Sequence, residues 1–460
     1  MIKLVEELAP TPNQLQQARS RLRGTSLIER HGRVVQMIGL VVESRGPMSA
    51  IGDICRIESS SGVEGVLAEV VGFRNENLLL MPLGELAGIH PGSVVIATGS
   101  RLRVPIGAEL KGRVIDGLGN PIDGRNPIPT IPLEELNLSL PHPLKRDRIS
   151  KQFQTGIKAL DTFTPCGRGQ RLGIFSGSGV GKSTLLGMMA GHAEADVNVI
   201  ALIGERGREV REFIERDLDD VGRAKSVVVV ATSDQPSLVR IKAAFLAMTI
   251  AECFRAEGKN VLLMMDSITR FAMAQREIGL AVGEPPTSRG YTPSVFAMLP
   301  RLLERAGNDD NGSITGLFSV LVEGDDMNDP IADAVRSILD GHLILSRELA
   351  AMNHYPAIDV LESVSRLTRD LLAPEQLDLA GRAREAMAIF RKNQDLITIG
   401  AYTAGTNPAI DEAIRLHGLL MDFLRQAVRE SKTVADSWQH LKGVMQPPPP
   451  PPADKKSRGR

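Results

Sequence analysis

A short apolar run, Leu172-Gly173-Ile174-Phe175, passes directly into Ser176-Gly177-Ser178-Gly179-Val180-Gly181-Lys182-Ser183-Thr184, and helical sequence follows from Leu185. No other segment restricts the fold so tightly. Glycines 177, 179 and 181 let consecutive backbone N–H groups turn toward one anion, and a helix start adds the positive end of its dipole. In a strand–loop–helix setting this spacing is a P-loop, a cradle for the phosphates of a nucleotide such as ATP. The expected cradle is Gly177, Ser178, Gly179, Val180, Gly181, Lys182, Ser183 and Thr184. Lys182 would reach the β- and γ-phosphates, and the Ser183 hydroxyl would hold Mg²⁺. Ser176 stands where the consensus has its first glycine, and a small residue suits that strand end.

A P-loop needs an α/β sheet around it, and the sequence from about 101 to 370 supplies one. Glycine-bounded apolar runs alternate there with helical patterns: Arg171 to Ser176, Asn198 to Ile203, Ser226 to Ala231, Val261 to Met265, Gly316 to Val322 and His342 to Leu345. That alternation predicts a parallel sheet. Val210, Phe213, Ile214 and Leu218 share one helical face between the second and third runs. Phosphoryl transfer also needs a carboxylate near the metal. Val261-Leu262-Leu263-Met264-Met265-Asp266 is an apolar strand ending in an acid, so Asp266 is the expected second metal contact, through water. Glu205 follows the strand ending at Ile203, at the edge where ligands gather in such sheets. It is the candidate general base; Glu209 and Glu212, one helix further on, are expected to be solvated.

The 460 residues leave room for about three domains. Residues 1–25 are polar apart from Leu4, Val5 and Leu8, which suits either a frayed terminus or a short partner-binding helix. Between 26 and 100, β-branched runs such as Gly39-Leu40-Val41-Val42-Glu43 and Ser93-Val94-Val95-Ile96 recur between glycine turns, predicting a small antiparallel barrel. Residues 371–442 read as helices, with one stripe at Leu379, Ala383, Met387 and Phe390 and another at Ile410, Ile414, Met421, Leu424 and Val428. A proline-rich basic tail, 443–460, ends the sequence.

Lys+Arg total 54 against 55 Asp+Glu, so no overall basic excess points to nucleic acid. The barrel region has Phe73 as its single aromatic, which leaves base-stacking platforms poorly supplied. Cys55, Cys166 and Cys253 are too scattered for a zinc site and suit a reducing compartment. The acidic first residues and the short apolar runs suggest neither a signal peptide nor a bilayer span. A cytoplasmic location is expected, with any membrane contact peripheral.

Together, the P-loop, Gly204-Glu205-Arg206-Gly207-Arg208-Glu209, Pro356-Ala357-Ile358-Asp359-Val360-Leu361-Glu362-Ser363-Val364-Ser365 and the segment Leu110 to Gly124 resemble the rotary ATPase α/β superfamily. Pro285-Pro286-Thr287-Ser288-Arg289-Gly290-Tyr291-Thr292-Pro293-Ser294-Val295-Phe296, Leu299 to Gly307 and Gly400 to Gly405 are most similar to the type III protein export ATPases, and among those to the flagellar one. The resemblance spans about residues 25 to 440. It implies a RecA-like P-loop ATPase core with an N-terminal β-barrel and a C-terminal helical domain, assembled as a homohexamer that uses ATP and Mg²⁺.

The resemblance also assigns roles. Glu205 falls on the family's catalytic glutamate, and Arg206 helps hold the phosphate site. Tyr355 falls on the aromatic that stacks on adenine, and Tyr402 is expected to line the same pocket. Arg366 falls on the arginine finger, which enters the neighbouring subunit's site. Implied partners are a stator-like regulator, a coiled-coil central stalk protein, chaperone–cargo complexes and an export gate at the membrane. Rival readings are an injectisome ATPase, a catalytic subunit of a rotary ATP synthase, a hexameric nucleic-acid translocase and a non-catalytic assembly protein.

Overall fold

The computed structural model describes residues 29–60, 65–128, 131–136, 146–322, 324 and 326–446. The predicted segment 1–25 and the proline run of the tail lie outside them. Backbone packing divides the chain into two compact units. One runs to Arg103 and takes in Glu277–Glu284; the other holds Val104–Arg276 and the chain from Pro285 onward.

In the first unit, six antiparallel strands close a barrel: β1 (His31–Ile38), β2 (Val41–Arg45), β3 (Asp53–Ile57), β4 (Val66–Arg74), β5 (Asn77–Pro82) and β6 (Val94–Arg101). Their order around it is β1-β2-β5-β4-β3-β6. Val42, Cys55, Ile57, Val70, Leu80 and Val95 fill the interior. Closure leaves no sheet edge open, which lets short strands stand as a unit.

The second unit is built on a nine-stranded sheet. Its main strands are β7 (Val114–Asp116), β8 (Arg171–Ser176), β9 (Val197–Ile203), β10 (Ser226–Ala231), β11 (Asn260–Asp266), β12 (Ser313–Leu321), β13 (Gly341–Leu345) and β14 (Val364–Ser365). They lie in the order β14-β13-β8-β12-β11-β9-β10-β7. All neighbours in this order are parallel except β13 and β14. Every residue of β9 and β10 is buried. Burial on both faces explains why these strands read as unbroken apolar runs rather than alternating ones. The six predicted strands match β8 to β13 to within a few residues.

Two helical expectations change in detail. The segment after β9 begins as α-helix, α2 (Gly207–Glu212), with α1 (Lys182–His192) before it, but continues as a π turn over Phe213–Asp217. Leu218 N donates to Phe213 O at 2.8 Å, and both side chains are buried. A five-residue step brings both to the core, where an α-helical step would turn one aside.

At the C-terminal end, α5 (Pro374–Thr398) and α6 (Pro408–Leu424) form an antiparallel hairpin, and α7 (Val434–Val444) follows; α3 (Ser237–Ala256) and α4 (Arg347–Ala351) precede them. The buried seam of α6 is Ala413, Leu416, Leu420, Phe423 and Leu424. Of the predicted stripe, Ile414 is 38% exposed and Val428 is 51% exposed. The seam follows the alanine-lined face of α5 and the Phe163 ring, whose centroid lies 6.3 Å from that of Phe423. Val428 falls beyond the helix end. No helix among the described residues is long and apolar enough to cross a membrane.

Candidate active site

Because β8, β9, β11 and β12 are parallel, their carboxyl ends share one edge of the sheet. There a cavity of about 810 Å³ opens, lined by Ser176, the cradle from Gly177 to Thr184 except Val180, and Glu205, Arg206, Glu209, Arg270 and Arg347, among others. Val180 is buried in the core at 2% exposure, so its backbone is what it offers the cradle.

Gly179 and Gly181 have φ of +79° and +87°, conformations that side chains resist. A Cβ on Gly181 would stand 3.3 Å from the Tyr355 ring. That close approach ties Tyr355, 41% exposed, to the mouth of the loop. The first turn of α1 begins at Lys182, whose ammonium is ion-paired with Asp266 across the intervening strand β12. Ser319, on β12, donates to the same Asp266 oxygen at 2.5 Å.

Glu205 lies one residue past β9, and its Oε1 is buried with no hydrogen-bond partner among the described residues. Burial first, then the Asp266 charge, pushes its carboxyl up to about 7; Lys182 opposes this, and contact with Glu209 adds to it. Glu209 is exposed, as expected, and borders the cavity, whereas Glu212 is half-buried and held by Arg208 at 2.8 Å. Arg206 also lines the cavity, 3.2 Å from Glu209.

Two assigned residues lie elsewhere. Tyr402 does not line the cavity: the hairpin carries it into the loop between α5 and α6, where its hydroxyl sits 2.9 Å from Asp411 Oδ1 and 3.0 Å from Asn407 O. Arg366 follows β14 at the sheet's outer edge, exposed, with its guanidinium 3.4 Å from Arg336 O. Within one chain it does not reach the cradle's cavity.

Sequence reasoning passed over Ser319 and Arg270. The stem of Arg270 covers Gly204, where a Cβ would come within 2.7 Å of it, and the residue lines the cavity. Its signal was its spacing, one helical turn past Asp266. Seven cationic side chains line the cavity against three carboxylates, a setting for a polyanion.

A glycine-cradled helix start at the carboxyl edge of a parallel sheet, facing an acid two strands away, defines a RecA-like P-loop nucleotide-binding protein. Comparison with known proteins narrows this. Residues 156–365 match the nucleotide-binding domain of the ATP synthase alpha/beta family, 34–99 its beta-barrel domain, and 372–443 the T3SS EscN ATPase C-terminal domain. The chain is 53% identical over 414 residues to the flagellum-specific ATP synthase of Bacillus subtilis, covering 90% of this chain and 94% of that protein. It is 48% identical to the type 3 secretion system ATPase of Xanthomonas euvesicatoria, covering 95% and 99%. Among solved structures, it resembles the assembled ATPase EscN of enteropathogenic E. coli in complex with its central stalk EscO, with a TM-score of 0.83, 44% identity and coverage of 90% and 99%. The chain belongs to the type III protein export ATPases of the ATP synthase α/β family.

Proposed function

We propose that this chain hydrolyses ATP with Mg²⁺ to energise type III protein export, in a flagellar apparatus, as a ring of six identical copies. One observation carries the reading: Lys182 and Glu205, whose Oε1 is buried without a partner among the described residues, line a strongly cationic cavity at one end of the sheet, and Lys182 is ion-paired there with Asp266. The 53% identity to the Bacillus flagellar relative supports the flagellar assignment, although other flagellar relatives, at 46–48%, match no better than the Xanthomonas injectisome protein at 48%.

The residues present suit a metal–triphosphate. Among the described residues no group of three His, Cys, Asp or Glu side chains offers a cage. Mg²⁺ seldom uses one; it takes one or two protein ligands, water and substrate phosphates. Ser183 and Asp266 would hold it, and when bound it neutralises charge on the β- and γ-phosphates. Lys182 exchanges its Asp266 partner for phosphate oxygens, Arg206 steadies the terminal phosphate, and Glu205 accepts a proton from the attacking water. Tyr355 stacks on the adenine. Arg366 of one copy completes the site of the next, with a gain in rate of ~10³–10⁵ expected of such a group.

The stalk partner follows the EscN–EscO complex. A stator-like regulator, chaperone–cargo complexes, the export gate and a peripheral position at the inner membrane face follow the family resemblance alone. Phosphate release by the purified full-length chain tests the reading. Hydrolysis that needs Mg²⁺ and is unchanged by added RNA supports it; hydrolysis driven chiefly by RNA would turn it toward the translocase.

A further inference from the structure

A second cavity, about 530 Å³, shares no lining residue with the first. One wall is α4 with the segment from His354 to Glu362, and the other is the facing stretch of α5 and α6. We propose that this cavity binds a neutral, flat, conjugated organic molecule bearing a carbonyl-type acceptor, and that its occupation controls turnover from outside the nucleotide site.

Its size falls within the range of small-molecule sites, and Leu349, Ile358, Met387 and Met421 make much of the wall apolar. The rings of Phe390 and His417, both on the wall, stack on each other with centroids 3.5 Å apart at 5°, so the lining already carries one parallel aromatic pair. His354 lines the cavity at 1% exposure, and neither ring nitrogen has a hydrogen-bond partner among the described residues. Burial holds its pKa down at about 4, so the ring is neutral at physiological pH and keeps one N–H to donate. An unmade buried hydrogen bond is costly, and a ligand carbonyl would satisfy it.

Charge argues against a nucleotide or a phosphate here. Arg391 is held by Asp359 at 2.8 Å and faces Glu362 at 3.5 Å, while Arg425 is held by Asp422 at 3.1 Å. Both arginines of the lining are thus already neutralised, and Glu348 adds a further carboxylate.

The path to the active site is short. His354 precedes Tyr355, whose ring approaches Gly181 and whose carbonyl accepts from Gln426 N at 3.0 Å. Gln426 in turn follows Arg425 on the cavity wall. A molecule wedged between α4 and the hairpin therefore acts on the platform beside the P-loop. This control of turnover rests on the proposed ATPase reading; the binding does not.

Nile red, a neutral planar dye with a ring carbonyl, is a suitable probe for titrating the full-length chain by fluorescence. Saturable binding of one dye per chain is expected, unchanged within about twofold by saturating ATPγS. In Gly418→Trp, built where a Cβ meets open space, affinity should fall at least about tenfold; in His354→Phe, about fivefold. If the tryptophan variant does not fold by circular dichroism, Gly418→Leu replaces it. Full affinity in the plugged variant, displacement by ATPγS, or no saturable binding overturns the site. With dye bound, kcat should fall or KM rise at least about twofold; no change in either overturns the control. A chain that binds dye but never hydrolyses ATP would refute the ATPase reading and leave the site standing.

Discussion

Glu205 has to be ionised to accept a proton, yet burial and the charge of Asp266 hold its carboxyl near 7. General-base roles of this kind contribute about 10²–10⁴ in rate. Glu205→Gln should therefore still bind a fluorescent ATP analogue within a few-fold, while phosphate release drops at least about 100-fold. Its pH signature has a definite sign. The unfolded chain loses this proton from about 4.5, the folded chain only near 7, so rising pH costs stability across that window and the cost is complete above it. Relative to the parent, Glu205→Gln should gain nothing in Tm near pH 4.5 and about 2 °C above pH 7, read by thermal melts at both. Lys182→Ala removes the cation facing the phosphates and leaves Asp266 without its ion pair; analogue binding should weaken about 100-fold or more, an effect calorimetry would measure. These residues were legible because strand, turn and helix start lie side by side in the sequence. Ser319 was not, since its nearness to Asp266 comes from strand pairing, and Arg270 was legible only by its spacing from Asp266, its cover over Gly204 being set by the fold.

Just past α6, Gln426, which is 5% exposed, ties the end of the hairpin to the segments around Gly156 and Tyr355. Its side chain accepts from Lys158 N at 2.8 Å and donates to Gly156 O and Glu430 O at 2.7 Å each, while its own N–H reaches Tyr355 O. Gln426→Ala leaves several buried groups unpaired at once and should cost about 2–3 kcal/mol. A lower urea midpoint with an unchanged slope would register it. Hydrophobic spacing revealed that α5 and α6 exist but caught only the edge of the buried face of α6, Leu424 and Met421, and missed its centre. An α-helix offers two apolar stripes about equally well, and the partner surface chooses between them; here the alanines of α5 and the Phe163 ring select the face through Leu416, Leu420 and Phe423. Likewise, the π turn after α2 arises where Phe213 and Leu218 both meet the core.

At the scale of the whole molecule, the location of Arg366 matters most. It is exposed at the outer edge of the sheet, outside the cavity of its own chain, as a group serving a neighbouring copy would be. Arg366→Ala should keep nucleotide affinity and lose about 10³-fold in rate. Rings mixed with Lys182→Ala chains then decide the matter. The two defects should complement where an intact cradle meets an intact finger, and specific activity should fall on dilution. Full activity of dilute single chains would defeat the shared-site reading.

What the sequence determined by itself was everything carried by short stretches: the cradle, the acid-tipped strand, the glutamate after β9, the barrel's turns and strands. In each, the chemistry and the conformation that presents it occupy a few consecutive residues. The tertiary structure alone decided the order β8-β12-β11-β9, which brings Lys182, Ser319, Asp266 and Glu205 together, and it alone formed the second cavity. Strands buried on both faces are nearly uniform apolar runs, so their sequences carry almost no record of which neighbour each will pair with.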